Sequence, residues 1–441
     1  MSHFIITDVH ILKNFQVLPN KNVEVKNGKI ISISSSMPDK DSTSGFIEKI
    51  SGKGKLLMSG MYNTHGHTPM ALIRGCADDL PLQDWLEHEI WPREAVFTKQ
   101  SVRAGTSLAL IEMIKNGTIA FLDMYHLYMN DVYELVMDSG LKAVLARGMI
   151  GFGTEEEQRG KLKEAVTFAK DWEAESNGHI KGMLFPHAPY TCKPPFLEKI
   201  IESSRSYRLP LGIHLAETLK EVNDHKRDYG RSPVDHLHEL GFFEQTALLT
   251  HVVHISESEM DMLSGKPVSV SHNPMSNAKL GSGIAPVSRM LKKNIPVSLG
   301  TDSTVSNNTL DIFEEMRFAV LLQKAADQNP AALSAHSALQ MATKNGAEAL
   351  GFKDSGIVRE GAAADFIMLD ISSAHLQPLQ NLFSHLIYTA SGHDVTDVFV
   401  NGRQLLKNRA LQTLDEEKIV FEANRHSRAI DTLFRENKKG D

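Results

Sequence analysis

Apolar positions along this chain follow two rhythms, and the switches between them divide it into three stretches. From residue 1 to about 57, apolar and polar residues alternate in short runs at 4–12, 22–25, 29–33 and 53–58, the pattern of strands with one buried face. Asn27-Gly28 between the second and third runs is a two-residue hairpin signal. The polar run 34–44 predicts an exposed loop. From about 58 to 350, β-rich runs at 56–64, 118–124, 142–147, 180–186, 209–214, 247–251, 268–272 and 295–302 alternate with segments of helical period, among them 99–115, 155–173, 195–206, 311–324 and 331–350. Eight strands alternating with helices predict an α/β fold, a TIM-type (β/α)8 barrel, whose active site is built at the C-terminal ends of the strands.

The β rhythm returns over 351–441. Residues 356–369 read as two strands around a turn, and 398–403 as a hairpin turn. These strands are expected to complete the 1–57 segment into one small β-sandwich made from both termini. The charged segment 415–437 has helical spacing and is expected to pack across the surface.

Composition narrows the function classes. A chain of 441 residues exceeds the usual single core, which agrees with a barrel of 58–350 plus a smaller unit. With 41% hydrophobic and 23% charged residues it has an ordinary globular balance. A net charge of −7 gives no global attraction to nucleic acid or an anionic membrane surface. No apolar window is long enough to span a bilayer, and the first residues lack a signal-peptide pattern. Cys76 and Cys192 are too few for a disulfide framework, so a reducing cytoplasm is the expected location. The expected partner is a small molecule, and the oligomeric state is open.

The candidate chemistry sits at expected strand ends. His65-Gly66-His67 follows the first barrel run, and two histidines at i and i+2 of extended chain point to the same side. His214, His251 and Asp302 each end a later run. A set of His65, His67, His214 and Asp302 with room for water suits one Zn²⁺ per chain, and such ligands would also accept Fe²⁺ or Mn²⁺. The end of the fourth run, Phe185-Pro186-His187, offers no lysine to carry a bridging carbamate, which argues for one ion rather than two. Such an ion lowers the pKa of a coordinated water. Glu217, three residues after His214, is a candidate proton carrier beside it, or simply a favourable first-turn acid of the next helix. His187 is a candidate hydrogen-bonding group for the substrate. Trp85, His88, Trp91 and Glu94 lie on a segment that could close over the barrel mouth, the tryptophans facing a purine or anchoring the loop.

The order His-x-His, His214, His251, Asp302, closed by Gly356-Ile357-Val358-Arg359-Glu360-Gly361-Ala362-Ala363-Ala364-Asp365, resembles the amidohydrolase superfamily over nearly the whole chain. Within it, Asn63-Thr64-His65-Gly66-His67-Thr68-Pro69-Met70, Leu72-Ile73-Arg74-Gly75, Ser271-His272-Asn273-Pro274, Asn277-Ala278-Lys279-Leu280-Gly281-Ser282-Gly283 and Gly300-Thr301-Asp302 are similar to the 5-methylthioadenosine/S-adenosylhomocysteine deaminases. Ser59 stands where that family usually has proline and Gly66 where it usually has threonine; neither removes a ligand.

The resemblance implies hydrolytic deamination of the adenine amino group of S-adenosylhomocysteine and 5′-methylthioadenosine, with adenosine as a further candidate. It implies that Asp302 takes the water proton and that His251 orients the nucleophile. It also implies that Glu94 holds the ribose hydroxyls and that Arg147 and Arg159 lie at the far end of the nucleoside substituent, with Lys161 competing with Arg159. The other readings are a chlorotriazine or guanine aminohydrolase on the same scaffold, and a non-catalytic binding relative. The zinc motif of nucleic-acid deaminases, H-x-E with P-C-x-x-C, is absent.

Overall fold

The computed structural model describes residues 3–36 and 47–440, so most of the expected polar loop lies outside the described residues. Strands β1 (His3–Lys13), β2 (Gln16–Lys26) and β3 (Lys29–Ser34) form a meander, with Asn27 and Gly28 both at positive φ in the turn the sequence marks. Two further strands, β4 (Glu48–Ser51), which the alternation did not reveal, and β5 (Lys55–Ser59), run parallel to β1. From the other terminus, β15 (Phe366–Asp370) pairs antiparallel with β5, and β16 (Val395–Val400), β17 (Arg403–Lys407) and β18 (Ala410–Leu411) follow, giving one continuous nine-stranded sheet. Phe4, Ile6, Val23 and Leu57 from one end and Phe366, Met368 and Phe399 from the other bury a common apolar cluster.

The barrel strands are β6 (Met61–Asn63), β7 (Thr118–Tyr125), β8 (Lys142–Met149), β9 (Ile180–Gly182) with β10 (Phe185–Pro186), β11 (Leu211–Leu215), β12 (Ala247–His251), β13 (Val268–His272) and β14 (Val297–Leu299). All pair in parallel, in two arcs from β6 to β10 and from β11 to β14. The arcs meet through single parallel bridges, Leu184 with Leu211 and Gly66 with Asp302, which close the cylinder. The strands are buried on both sides and the helices lie between them in sequence, as a parallel sheet requires.

Three local expectations are corrected. The run 56–64 is two strands, β5 of the terminal sheet and β6 of the barrel, broken at Gly60. A Cβ there would stand 2.3 Å from a methyl carbon of Ile119, so only glycine lets the chain cross this closely. The run 356–369 is one strand, β15, preceded by a loop; Ile30 N donates to Ala362 O at 3.0 Å and Gly361 N to Ile30 O at 2.7 Å. The helical run 331–350 is two helices, Ala335–Ala342 and Lys344–Ala349, broken at Thr343 (φ −120°, ψ −90°).

Candidate active site

Four of the expected ligands converge where the barrel closes. After β6, Asp302 N donates to His65 O at 2.9 Å, so the His-x-His segment and the aspartate are stitched side by side. Their functional atoms crowd one point: Asp302 Oδ1 lies 3.3 Å from His65 Nε2 and 3.2 Å from His67 Nε2, and His214 Nε2 lies 3.1 Å from His65 Nε2. His251 joins His65 and His214 in a second grouping, its ligand-type atom within 4.8 Å of theirs.

The surroundings leave these atoms as lone-pair donors. His67 Nδ1 faces Met124 O at 2.6 Å and His214 Nδ1 faces His187 O at 2.6 Å. A carbonyl only accepts, so each Nδ1 carries the proton and each Nε2 presents a lone pair. Asp302 Oδ2 accepts from Ser276 Oγ at 2.6 Å and Ser306 Oγ at 3.0 Å, leaving Oδ1 for the cluster. A tetrahedral ion with bonds of about 2.0–2.1 Å would space its ligand atoms by about 3.3–3.4 Å, close to the separations found. The donor set therefore fits a divalent metal. A Cβ on Gly66, the middle residue of the His-x-His segment, would meet only ordinary contacts, the nearest at 3.6 Å, so the position does not require glycine.

Glu217 and His251 stand beside this cluster. Glu217 Oε2 is 3.6 Å from His251 Nε2, and Glu217 Oε1 is buried without a partner. Burial, then the nearby Asp302 and Glu221 carboxylates, push the Glu217 carboxyl well above its ordinary value, which favours its protonated form. Asp302 moves the opposite way: burial opposes its charge, but its contacts with His65 and His67, with a further contribution from His251, outweigh burial and hold it well below its ordinary value. Burial lowers His251 to about 3, leaving it neutral. Asn277 Nδ2 donates to His251 Nδ1 at 2.9 Å, which places the imidazole proton on Nε2, toward Glu217. Ala216, His251 and Asp302 all adopt positive φ (50°, 74° and 62°), which non-glycine residues adopt at a cost, so three of the strand exits that carry the site are strained.

These groups open into a cavity lined by His67, Trp85, Trp91, Glu94, His187, His214, Glu217, His251 and Asp302. Glu94 is buried and raised above its ordinary value by that burial. His187 donates to or accepts from Thr191 Oγ1 at 2.9 Å, and burial then lowers it to about 3, so it is neutral. Trp85 both lines the cavity and anchors its segment through Nε1 to Ala77 O at 3.3 Å; His88 is exposed and does not line it.

The arginines are not gathered in. Arg147 Nε donates to Glu164 Oε2 at 2.8 Å and Nη1 to Gly148 O at 2.6 Å, while its neighbours Gly148 and Ile150 form the wall. Arg159 is exposed on the helix Glu155–Glu175 and borders a separate outer groove with Lys163 and Tyr207. Lys161 Nζ bonds the carbonyls of Ile150 and Phe152, at 3.0 and 2.8 Å.

Sequence reasoning missed His126, which lines the cavity and is lowered to about 4 by burial and then by Arg147. Its position one residue beyond β7 was the available signal. It also missed Ser276 and Asn277 as the groups that fix Asp302 and His251, although both lie in the run after Ser271-His272-Asn273-Pro274.

The amidohydrolase family profile matches residues 56–405. The 5-methylthioadenosine/S-adenosylhomocysteine deaminase of Halalkalibacterium halodurans is 51% identical over 406 residues, covering 92% of each chain. The protein of the same name from Dictyoglomus turgidum is 46% identical, over 97% of this chain and 99% of that one. Among solved structures, an adenosine deaminase from Xanthomonas campestris with bound zinc superposes with a TM-score of 0.92 at 33% identity, covering 98% of this chain and 99% of that one. A guanine deaminase from C. acetobutylicum, at 23% identity and a TM-score of 0.82, shares the fold.

Proposed function

Because the chain belongs to the amidohydrolase family, we propose that it is a metal-dependent aminohydrolase that converts S-adenosylhomocysteine and 5′-methylthioadenosine to their inosine analogues with release of ammonia. The observation that carries this reading is the meeting of the His65, His67, His214 and Asp302 cluster with Glu217, whose carboxyl is raised by burial well above its ordinary value, in one cavity. The relatives' names support the substrate pair, at 46–51% identity over more than nine-tenths of the chain.

We assign the ion to zinc. The three-histidine, one-carboxylate set suits it, and the zinc-bound adenosine deaminase supports it. When bound, the ion acidifies a water so that a nucleophile is available near neutral pH. Asp302 takes the water proton on its carboxylate, whose Oδ2 is held by Ser276 and Ser306. His251 holds the attacking oxygen through its Nε2 proton. Glu217 gives its carboxyl proton to the ring nitrogen as the amino-bearing carbon is attacked, then relays the hydroxyl proton of the adduct to the departing amine, and the proton taken by Asp302 restores the Glu217 acid. His187 bonds the substrate from the fourth strand end, and Glu94 takes the ribose hydroxyls. A homocysteine carboxylate replaces Glu164 as the partner of Arg147. Arg159, on the outer groove, is given no part in the site. The reducing cytoplasm suits Cys76 and Cys192, both free thiols. No helix among the described residues is long and apolar enough to cross a membrane.

An ammonia-release assay over a nucleoside panel, run on protein of measured metal content, tests the assignment. Turnover of the two thionucleosides with no turnover of guanine or chlorotriazines is expected. Turnover of guanine or a chlorotriazine alone would replace the substrate assignment, and no ammonia from any of them would mark a binding relative.

A further inference from the structure

Two helix starts in this chain share a glutamate capping box, and a third with the same spacing departs from it. At Glu155–Glu175 and Glu257–Leu263 the third helical residue is a glutamate whose carboxylate returns to the N–H of the capping residue: Thr154 N to Glu157 Oε2 at 2.6 Å and Ser256 N to Glu259 Oε2 at 2.7 Å. That is the reciprocal capping box, a local device that satisfies helix-end donors. The helix Leu219–Tyr229, which follows β11, has the same Thr218-x-x-Glu221 spacing, and Thr218 Oγ1 accepts Glu221 N at 3.1 Å.

The return bond is different here. The Glu221 carboxylate passes over the cap and accepts Ala216 N at 3.0 Å and Glu217 N at 2.8 Å. Both oxygens are engaged, and the side chain is buried. The two amides belong to the strained turn that aims Glu217: Ala216 has φ 50°, a left-handed conformation that a non-glycine residue holds only when its surroundings impose it. On the other side of that turn, Ala216 O accepts Val253 N at 3.1 Å and His254 N at 2.9 Å from the exit of β12, two residues beyond His251. The turn bearing Glu217 is thus clamped between a buried carboxylate and the strand that carries His251.

We propose that Glu221 is a positioning residue for proton transfer: by holding the Ala216 and Glu217 amides, it sets the Glu217 carboxyl against His251 and the substrate ring. This rests on Glu217 being the proton carrier. A group displaced by about 1 Å can lose on the order of a hundredfold in rate while binding is retained, so the loss belongs in kcat rather than KM.

A double-mutant cycle on the metal-loaded enzyme tests it, with 5′-methylthioadenosine as substrate and metal content and Tm measured for each variant. Glu221→Gln should lower kcat by roughly ten- to a hundredfold with KM within a few-fold, metal bound and the protein folded. In a Glu217→Gln background the same change should cost less than about threefold, because a positioning residue has nothing left to position. Equal losses in both backgrounds overturn the proposal while leaving the Glu217 role standing. A near-parental kcat in Glu217→Gln alone overturns that role and the proposal with it. Glu259→Gln, at an ordinary capping box, is the control: it should lower Tm and spare kcat, and a kcat loss matching that of Glu221→Gln also overturns the proposal. Should Glu221→Gln fail to fold, Glu221→Asp, which withdraws the carboxylate by one methylene, carries the same cycle and the same outcomes.

Discussion

His67 and His214 each spend one ring nitrogen on a main-chain carbonyl and present the other to a shared point, where His65 and Asp302 meet them. Truncating His65, His67 or His214 to Ala removes one donor of four, and metal and turnover should fall together. Full activity in such a variant with metal below about a tenth of an equivalent would sink the single-ion scheme. Glu217→Gln keeps the shape of the buried side chain and removes its proton. It should cost roughly a hundred- to ten-thousand-fold in kcat with metal retained, and a few-fold change in kcat would place the proton elsewhere. Arg147 makes a third case because it already has a carboxylate partner in Glu164. Arg147→Met should weaken kcat/KM for S-adenosylhomocysteine by about 1.5–3 kcal/mol, the scale of a charged hydrogen bond, and change 5′-methylthioadenosine, which ends in a methyl group, much less. Equal losses for the two substrates would leave Arg147 a structural residue.

Whole elements were legible in the chain where period and chemistry agreed. The helix Lys99–Lys115 and the strands Ala247–His251 and Val268–His272 lie at the residues their patterns predict. So do the candidate metal-ligating residues, each of which sits at or just beyond the end of a buried strand. Breaks inside apolar runs were not legible, since Gly60 and Thr343 interrupt no period; the first is set by the approach of Ile119, and at the second Thr343 leaves the helical region at φ −120°, ψ −90°. Long side chains were the other blind spot: Arg147 and Arg159 are near one another in sequence, yet one bonds Glu164 beside the wall and the other lies on the outer groove.

The segment over the mouth joins both lessons. It runs as a helical turn Leu82–Trp85, a π turn Leu86–Ile90 and a turn Trp91–Glu94, and π turns are rare outside functional segments. Its Glu94 lines the cavity while the adjacent Arg93 turns outward, its guanidinium 3.7 Å from the Phe434 ring centre on the C-terminal helix Glu416–Gly440. Lys438 Nζ adds a bond to Glu89 at 2.9 Å. Phe434→Ala should therefore lower stability by about 3 kcal/mol and raise KM with little change in kcat. A melting curve and a substrate titration check both, and an unchanged KM would mean that the C-terminal helix has no hold on the mouth.

At the scale of the whole molecule, β5 joins two cores. Alternation along it sends Leu56 and Met58 into the barrel cluster and Leu57 into the cluster shared by the two termini. One residue later, at Gly60, the same chain crosses into β6 and reaches His65 and His67. A strand hydrogen-bonded to β1 on one side and β15 on the other, and continuous with the strand that leads to His65 and His67, should couple the terminal sheet to the barrel in unfolding. Leu57→Ala, which cuts a fully buried side chain from the terminal cluster, should cost about 2–5 kcal/mol. If the coupling holds, that loss appears as a downward shift of a single thermal transition. Stripping the metal with a chelator moves the same transition, because an ion bound only by the folded barrel stabilises whatever unfolds with it. Calorimetry of the parent and Leu57→Ala proteins, each with and without metal, separates the alternatives. Two resolved transitions, one sensitive to Leu57 and the other to metal, would show that the terminal sheet and the barrel unfold independently despite the strand they share.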